Sequence, residues 1–68
     1  MTMKYYITHF EPIDDIYIPH YASVIKTGRE TIDGPWRTEI EVDDDYTEVA
    51  EDWMFYTDSI VEYAPLFE

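Results

Sequence analysis

Eleven of the sixteen carboxylates in this chain fall between Thr38 and Glu68, a stretch with no Lys or Arg, while the first thirty-seven residues set five acids against four bases. Almost all of the formal charge of -12 therefore sits in one half. Charge of one sign on so small a body costs self-repulsion in the folded state, attracts basic surfaces and repels phosphate backbones, most strongly at low salt. A fold open to this chain has to keep those carboxylates wet and find its cohesion elsewhere.

Length says where that cohesion must come from. Sixty-eight residues make one acidic domain, 1–68, and a domain this small buries only about 60% of its unfolded surface, so its core needs large side chains. Seven Tyr, three Phe and two Trp supply them, and the tyrosine hydroxyls can stay wet at the rim of a core or an interface. With no cysteine, neither a disulfide framework nor a cysteine-based zinc site is available. Packing has to hold the chain, as a monomer or helped by homodimerisation. The segment after Met1-Thr2-Met3-Lys4 is neither a signal-peptide core nor a membrane span. The expected compartment is the cytoplasm, without membrane contact or direct nucleic-acid binding, since anionic leaflets and phosphates would both repel this surface.

The pattern of residues predicts a small α+β domain with an antiparallel sheet of three or four strands and one or two short helices. Lys4 to Phe10, rich in Tyr, Ile and Thr and closed by Glu11-Pro12, reads as the strand that opens the sheet. For Asp14 to Lys26 the signals conflict. Ile18, Tyr21, Ala22 and Ile25 stand at helical spacing between Pro19 and Gly28, which suits a helix over Pro19 to Thr27, while β-branched Val24 and Ile25 suit a strand over Tyr21 to Thr27. The helix is the preferred expectation. Asp33-Gly34 between Arg29–Ile32 and Trp36–Val42 predicts a two-residue hairpin turn with positive φ, imperfect next to Pro35. In Trp36 to Val42 a period of two sets Trp36, Thr38, Ile40 and Val42 toward the core and Arg37, Glu39, Glu41 and Asp43 outward. Successive outer carboxylates stand about 6.6 Å apart, twice the rise per strand residue. Asp45 as cap with Glu48 three residues on, followed by Tyr46, Val49, Ala50, Trp53 and Met54, predicts a helix from Tyr46 to about Phe55. Asp58 to Tyr63 reads as a last strand stopped by Ala64-Pro65.

Catalytic motifs are absent. His9 and His20 have no HExxH spacing and read as structural or surface groups, Ser23 and Ser59 lie in no nucleophile turn, and two glycines make no phosphate loop. Carboxylate pairs imitate a glycosidase, but that reaction needs a cleft that so short a chain can hardly build. The run Asp43-Asp44-Asp45 with Glu48, Glu51 and Asp52 would suit a hard cation, yet an EF-hand counted from Asp43 puts Glu48 where Gly is needed and Met54 where Glu is needed. No metal, cofactor or enzymatic activity is expected. In the run Trp53-Met54-Phe55-Tyr56 only one helix side can be buried, so Phe55 or Tyr56 should reach solvent beside carboxylates, as interface anchors do.

Small size, acidity, an aromatic-rich α+β pattern and no enzyme motif resemble phage-encoded nucleic-acid mimics that block host DNA-binding enzymes. Asp58-Ser59-Ile60 is similar to the Glu-Ser-Ile of the uracil-DNA glycosylase inhibitor family, with Asp in place of Glu and a position near the C-terminus instead of the N-terminus. The resemblance implies an edge strand that enters the enzyme's DNA groove, with Asp58 as the intruding carboxylate, Ser59 as a hydrogen-bonding group and Ile60 at an apolar cavity. Met54, Tyr56, Ile60 and Leu66 are further cavity candidates on apolarity. It also implies a basic DNA-binding host enzyme as partner and the cytoplasm of an infected cell as compartment. Glu39, Glu41, Asp43, Asp44, Asp45, Glu48, Glu51, Asp52 and Glu62 would supply the partner-facing charge. Two alternatives stand beside it: inhibition of restriction, CRISPR or transcription machinery by the same mimicry, and an acidic interaction module or antitoxin for a basic protein.

Overall fold

The computed structural model describes residues 1–67. Four strands, β1 (Thr2–His9), β2 (Ala22–Gly28), β3 (Trp36–Asp43) and β4 (Ile60–Leu66), and one helix, α1 (Thr47–Tyr56), make the α+β domain. All pairings are antiparallel and the spatial order is β2-β3-β1-β4. The first strand is thus central rather than terminal in space. Two connections each step over a neighbouring strand: residues 10–21 carry the chain from β1 past β3 to β2, and α1 carries it from β3 past β1 to β4. This is the connectivity of a split β-α-β, ferredoxin-like arrangement whose first helix is replaced by an irregular crossover holding a single 3₁₀ turn, Ile13–Asp15.

Alternation decides which side of the sheet is dry. Tyr5, Ile7 and His9 of β1 and Thr38, Ile40 and Val42 of β3 are buried on one face, paired Tyr5 to Ile40 and Ile7 to Thr38. Ala50 and Met54 of α1 close over them, and Ile13 and Ile18 of the crossover pack against the same cluster. Crossover and helix therefore form one covering layer. The other face, with Lys4, Tyr6, Thr8, Arg37, Glu39, Glu41 and Glu62, has no layer on it.

Both edge strands carry a bulge, and each bulge restores the correct face to the residues beside it. In β2 the register moves between Val24 and Lys26. Continued without a bulge from the Val24–Ile40 pair, the ladder would set Lys26 opposite Thr38 on the dry side; with Ile25 bulged out, Lys26 meets Glu39 on the open face and pairs with it at 3.5 Å, while Thr27 meets Thr38. In β4 the shift lies opposite Thr8 and His9, so that Val61 is extra and Ile60 turns into the core. A slip of one residue exchanges the faces of a strand, and a bulge makes that exchange once, in place.

His9 is the one ring nitrogen pair inside the core, with no exposed surface. Its Nδ1–H donates to the Glu11 carbonyl, which can only accept, so in the neutral ring Nε2 accepts from the Thr38 hydroxyl at 2.6 Å. Thr38 in turn is 2.7 Å from the Thr27 hydroxyl. This chain satisfies a buried imidazole across β1, β3 and β2, where an unmatched one would cost a desolvation penalty of about 1–3 kcal/mol. His9 is structural.

Four local expectations need correction. Ala22–Gly28 forms β2, not a helix: Val24, Ile25 and Thr27 are β-branched, and the free edge of β3 offers a ladder that a lone helical turn could not match. The Asp33-Gly34 turn has no positive φ; residues 29–35 are a longer loop with the Gly34 N–H bonded to the Thr31 carbonyl at 3.2 Å, and Arg29–Ile32 is not a strand. Pro35 explains this, because a residue before proline is driven to extended backbone and Gly34 cannot complete a type I′ turn. Asp45 does not cap α1. The chain leaves β3 through a second 3₁₀ turn, Asp44–Tyr46, whose cap is Asp43, its side chain accepting from the Asp45 N–H at 3.1 Å. Finally, β4 runs through Ala64-Pro65 to Leu66, which Pro65 permits because β4 is an edge strand.

This packing predicts two measurable effects. Met54→Ala, at a fully buried site, should cost about 2–5 kcal/mol against a total of roughly 3–10 kcal/mol for a chain of this length; a urea midpoint within a few tenths molar of the parent would contradict the core assignment. Burial, with Glu51 and Tyr63 adding to it, raises the Tyr5 hydroxyl above its ordinary value of 10.0. Above pH 10 the unfolded tyrosine then ionises first, so stability is intact below that pH and falls as pH rises further. In urea titrations at pH 8 and pH 11, Tyr5→Phe should lose less of its midpoint than the parent does.

Candidate functional site

Placing the charges on this fold separates them by layer. All four cationic side chains belong to the sheet or its hairpin: Lys4 in β1, Lys26 in β2, Arg29 in the loop and Arg37 in β3. The covering layer contains Glu11, Asp14, Asp15, Asp44, Asp45, Glu48, Glu51, Asp52 and Asp58 and not one Lys or Arg. Within α1, Glu48, Glu51, Asp52 and Phe55 recur at i, i+3, i+4 and i+7, the spacing of one helix face, and all four are exposed. Glu48 lies in the first turn, where the helix dipole favours it.

The aromatic end of that helix is built as a pair. Trp53 packs partly into the core and Met54 wholly, leaving Phe55 67% and Tyr56 75% exposed. Their rings meet edge to face at 5.0 Å and 89°. The Thr57 hydroxyl donates to the Trp53 carbonyl at 2.6 Å and satisfies one of the last helical acceptors. The expectation that part of this run reaches solvent beside carboxylates describes Phe55 and Tyr56. At the other end of the layer Tyr21 stacks on Tyr46 at 5.0 Å with planes 1° apart, and His20 stands edge-on to both. This fastens the crossover to the acidic turn after β3. Burial, followed by Tyr17 and Asp52, raises the Tyr21 hydroxyl above its ordinary value.

The candidate residues do not all share this surface. Glu39, Glu41 and Glu62 lie on the open sheet face, each already engaged: Glu39 with Lys26, Glu41 as acceptor of the Thr2 hydroxyl at 2.6 Å, and Glu62 as acceptor of the Tyr6 hydroxyl at 3.1 Å. The carboxylates expected to supply the partner-facing charge together are thereby divided between two sides of the sheet. The reason is that a strand and the helix after it present their wet faces in opposite directions. Asp43, Asp44 and Asp45 sit at the junction, with Asp43 spent on its turn.

Asp58-Ser59-Ile60 straddles the start of the β4 edge strand. Asp58 is exposed, Ser59 donates to the Glu11 carboxylate at 3.2 Å, and Ile60 is core. Met54 and Ile60 are therefore corrected from partner-facing or cavity positions to packing positions, because the bulge at Val61 turns Ile60 inward and helical spacing does the same for Met54. Leu66 lies on the open face. Sequence reading missed Asp14 and Asp15 as members of the acidic layer. Their signal was the interleaving of Ile13, Ile16 and Ile18 with carboxylates, which marks a segment that lies on a core. Among the described residues no group of three or more His, Cys, Asp or Glu is arranged to hold a metal ion, and no helix is long and apolar enough to cross a membrane.

Compared with protein families, curated proteins and solved structures, the chain matches none.

An uncompensated layer of carboxylates makes stability depend on screening. Raising NaCl from about 10 mM to about 300 mM shortens the Debye length from about 30 Å to several ångströms and should raise the melting temperature by about 4–8 °C, equivalent to on the order of 1 kcal/mol. A melting temperature independent of salt would mean that the carboxylates do not repel one another in the folded state.

Proposed function

We propose that this protein is a DNA-mimicking inhibitor that occupies the nucleic-acid groove of a basic host enzyme. One observation carries the reading: a covering layer with nine carboxylates and no cation that also presents Phe55 and Tyr56 to solvent. Neighbours three and four apart on a helix stand about 5–6 Å apart, of the same order as charges along a nucleic-acid strand, which advance about 3.4 Å along the axis per phosphate. Carboxylates of this kind steer association with a cationic groove, and an aromatic pair that finds an apolar pocket there slows dissociation. Asp58, one of these nine and exposed just before an edge strand, stands at the position that the uracil-DNA glycosylase inhibitor resemblance assigns to the intruding acid. With Met54 and Ile60 taken up by the core, the apolar contact passes to Phe55 and Tyr56. Uracil-DNA glycosylase is the first target to test; restriction, CRISPR and transcription enzymes offer grooves of the same charge.

The test is excision of uracil from labelled DNA by a bacterial uracil-DNA glycosylase with the protein titrated in. Stoichiometric inhibition that persists near 0.15 M salt is the expected result, with Glu48→Gln/Glu51→Gln/Asp52→Asn raising the inhibitory concentration by about tenfold or more at low salt, as the loss of steering charges predicts. Absence of inhibition at any salt removes the glycosylase as target. Inhibition unaffected by the triple substitution removes the helix from the interface.

A further inference from the structure

Arginines in a protein so rich in carboxylates would be expected to pair with them, and among the described residues neither does. The guanidinium of Arg29 stands over the Trp36 ring at 4.4 Å and that of Arg37 over the Tyr6 ring at 4.1 Å, whereas the nearby ion pair joins Lys26 to Glu39. Stacking occupies the face of a guanidinium and leaves its N–H edge free, the edge whose fork fits the two oxygens of a carboxylate or phosphate. Both arginines line one depression of about 260 Å³ between the hairpin loop and β1, together with Thr8, Thr31 and Gly34. The two threonines bring hydroxyl groups able to donate as well.

Of the two carboxylates in the loop, Glu30 and Asp33, neither forms an ion pair with either arginine among the described residues. Glu30 is the one carboxylate in the lining. Glu39 and Glu62, the nearest on the open face, are engaged with Lys26 and Tyr6. Asp43 lies at the far end of β3 from Trp36, about 23 Å away at the rise of a strand, which is more than two Debye lengths at about 0.1 M salt. The arginines are held ready by their aromatic partners, so little side-chain entropy is lost when an anion arrives.

We propose that this depression is an oxyanion site, taking one carboxylate or phosphate group between the edges of Arg29 and Arg37. Thr8 and Arg37 belong to the open sheet face, not to the acidic layer, so the site stands independently of the DNA-mimic reading. The test is a ¹⁵N–¹H correlation titration of the intact protein with inorganic phosphate and, separately, with acetate, at ionic strength held near 0.1 M with NaCl. The expected result is saturable shifts at the amides of Thr8, Gly34, Trp36 and Arg37 with at least one of the two anions, and the tighter one identifies the group. R29Q and R37Q should each weaken that binding about tenfold, the scale of losing a charged hydrogen-bonding partner, while K26Q, outside the depression, should leave it unchanged. Shifts that stay linear, that scatter over the surface, or that are the same in R37Q as in the parent would overturn the proposal. Both arginines are exposed, and the spectra of the variants report directly that they remain folded.

Discussion

The β1–β3 ladder is the contact on which the rest of this molecule rests. It pairs all eight residues of each strand, Thr2 with Asp43 through His9 with Trp36, and it supplies six of the buried side chains. The two long connections each pass over one of these two strands, and both edge strands are registered against them. A chain with so little interior can tolerate one such ladder being central only if its dry face is apolar throughout, and it nearly is. The exceptions, His9 and Thr38, bond to each other, so the polar groups in the core close on themselves.

That arrangement also governs the electrostatics. A sheet with one covering layer has two chemically different outsides. Here the sheet side mixes Lys4, Lys26 and Arg37 with Glu39, Glu41 and Glu62, and the layer side is acidic without relief. Strands tolerate alternating charge because neighbours across the ladder can balance one another, as Lys26 and Glu39 do. The helix and crossover have no such partners in reach, and their carboxylates are left to solvent or to another molecule. Two surface chemistries thus coexist on a body with a radius of gyration of 11.3 Å: a broad anionic layer and a small notch at the hairpin lined by Arg29 and Arg37.

Sequence alone conveyed the fold class, the inward set of β3 and the span of α1 to within a residue, because each rests on a periodicity that only one secondary structure satisfies. It failed where a long-range partner decides. Ala22–Gly28 has a pattern compatible with helix or strand, and the open edge of β3 settles it. The Asp33-Gly34 signal was overruled by its own neighbour Pro35. Likewise no local pattern shows that Glu39 and Glu48 face opposite ways, since that depends on which side of the sheet the helix lies. Ile60 and Met54, read as cavity candidates for their apolarity, were indistinguishable from core residues until the bulge in β4 and the covering layer were placed.

The bulges give β2 and β4 an unusual relation between sequence and shape. Ile25 and Val61, the bulged residues, are both exposed. What each supplies is one extra place in its strand, with no partner opposite it. Delete either one and the ladder closes into regular pairing with every face kept, Lys26 still opposite Glu39 and Ile60 still opposite His9. These two positions are therefore where each edge strand can lose a residue without exchanging inside for outside, and related chains would be expected to differ there in length as well as in letter.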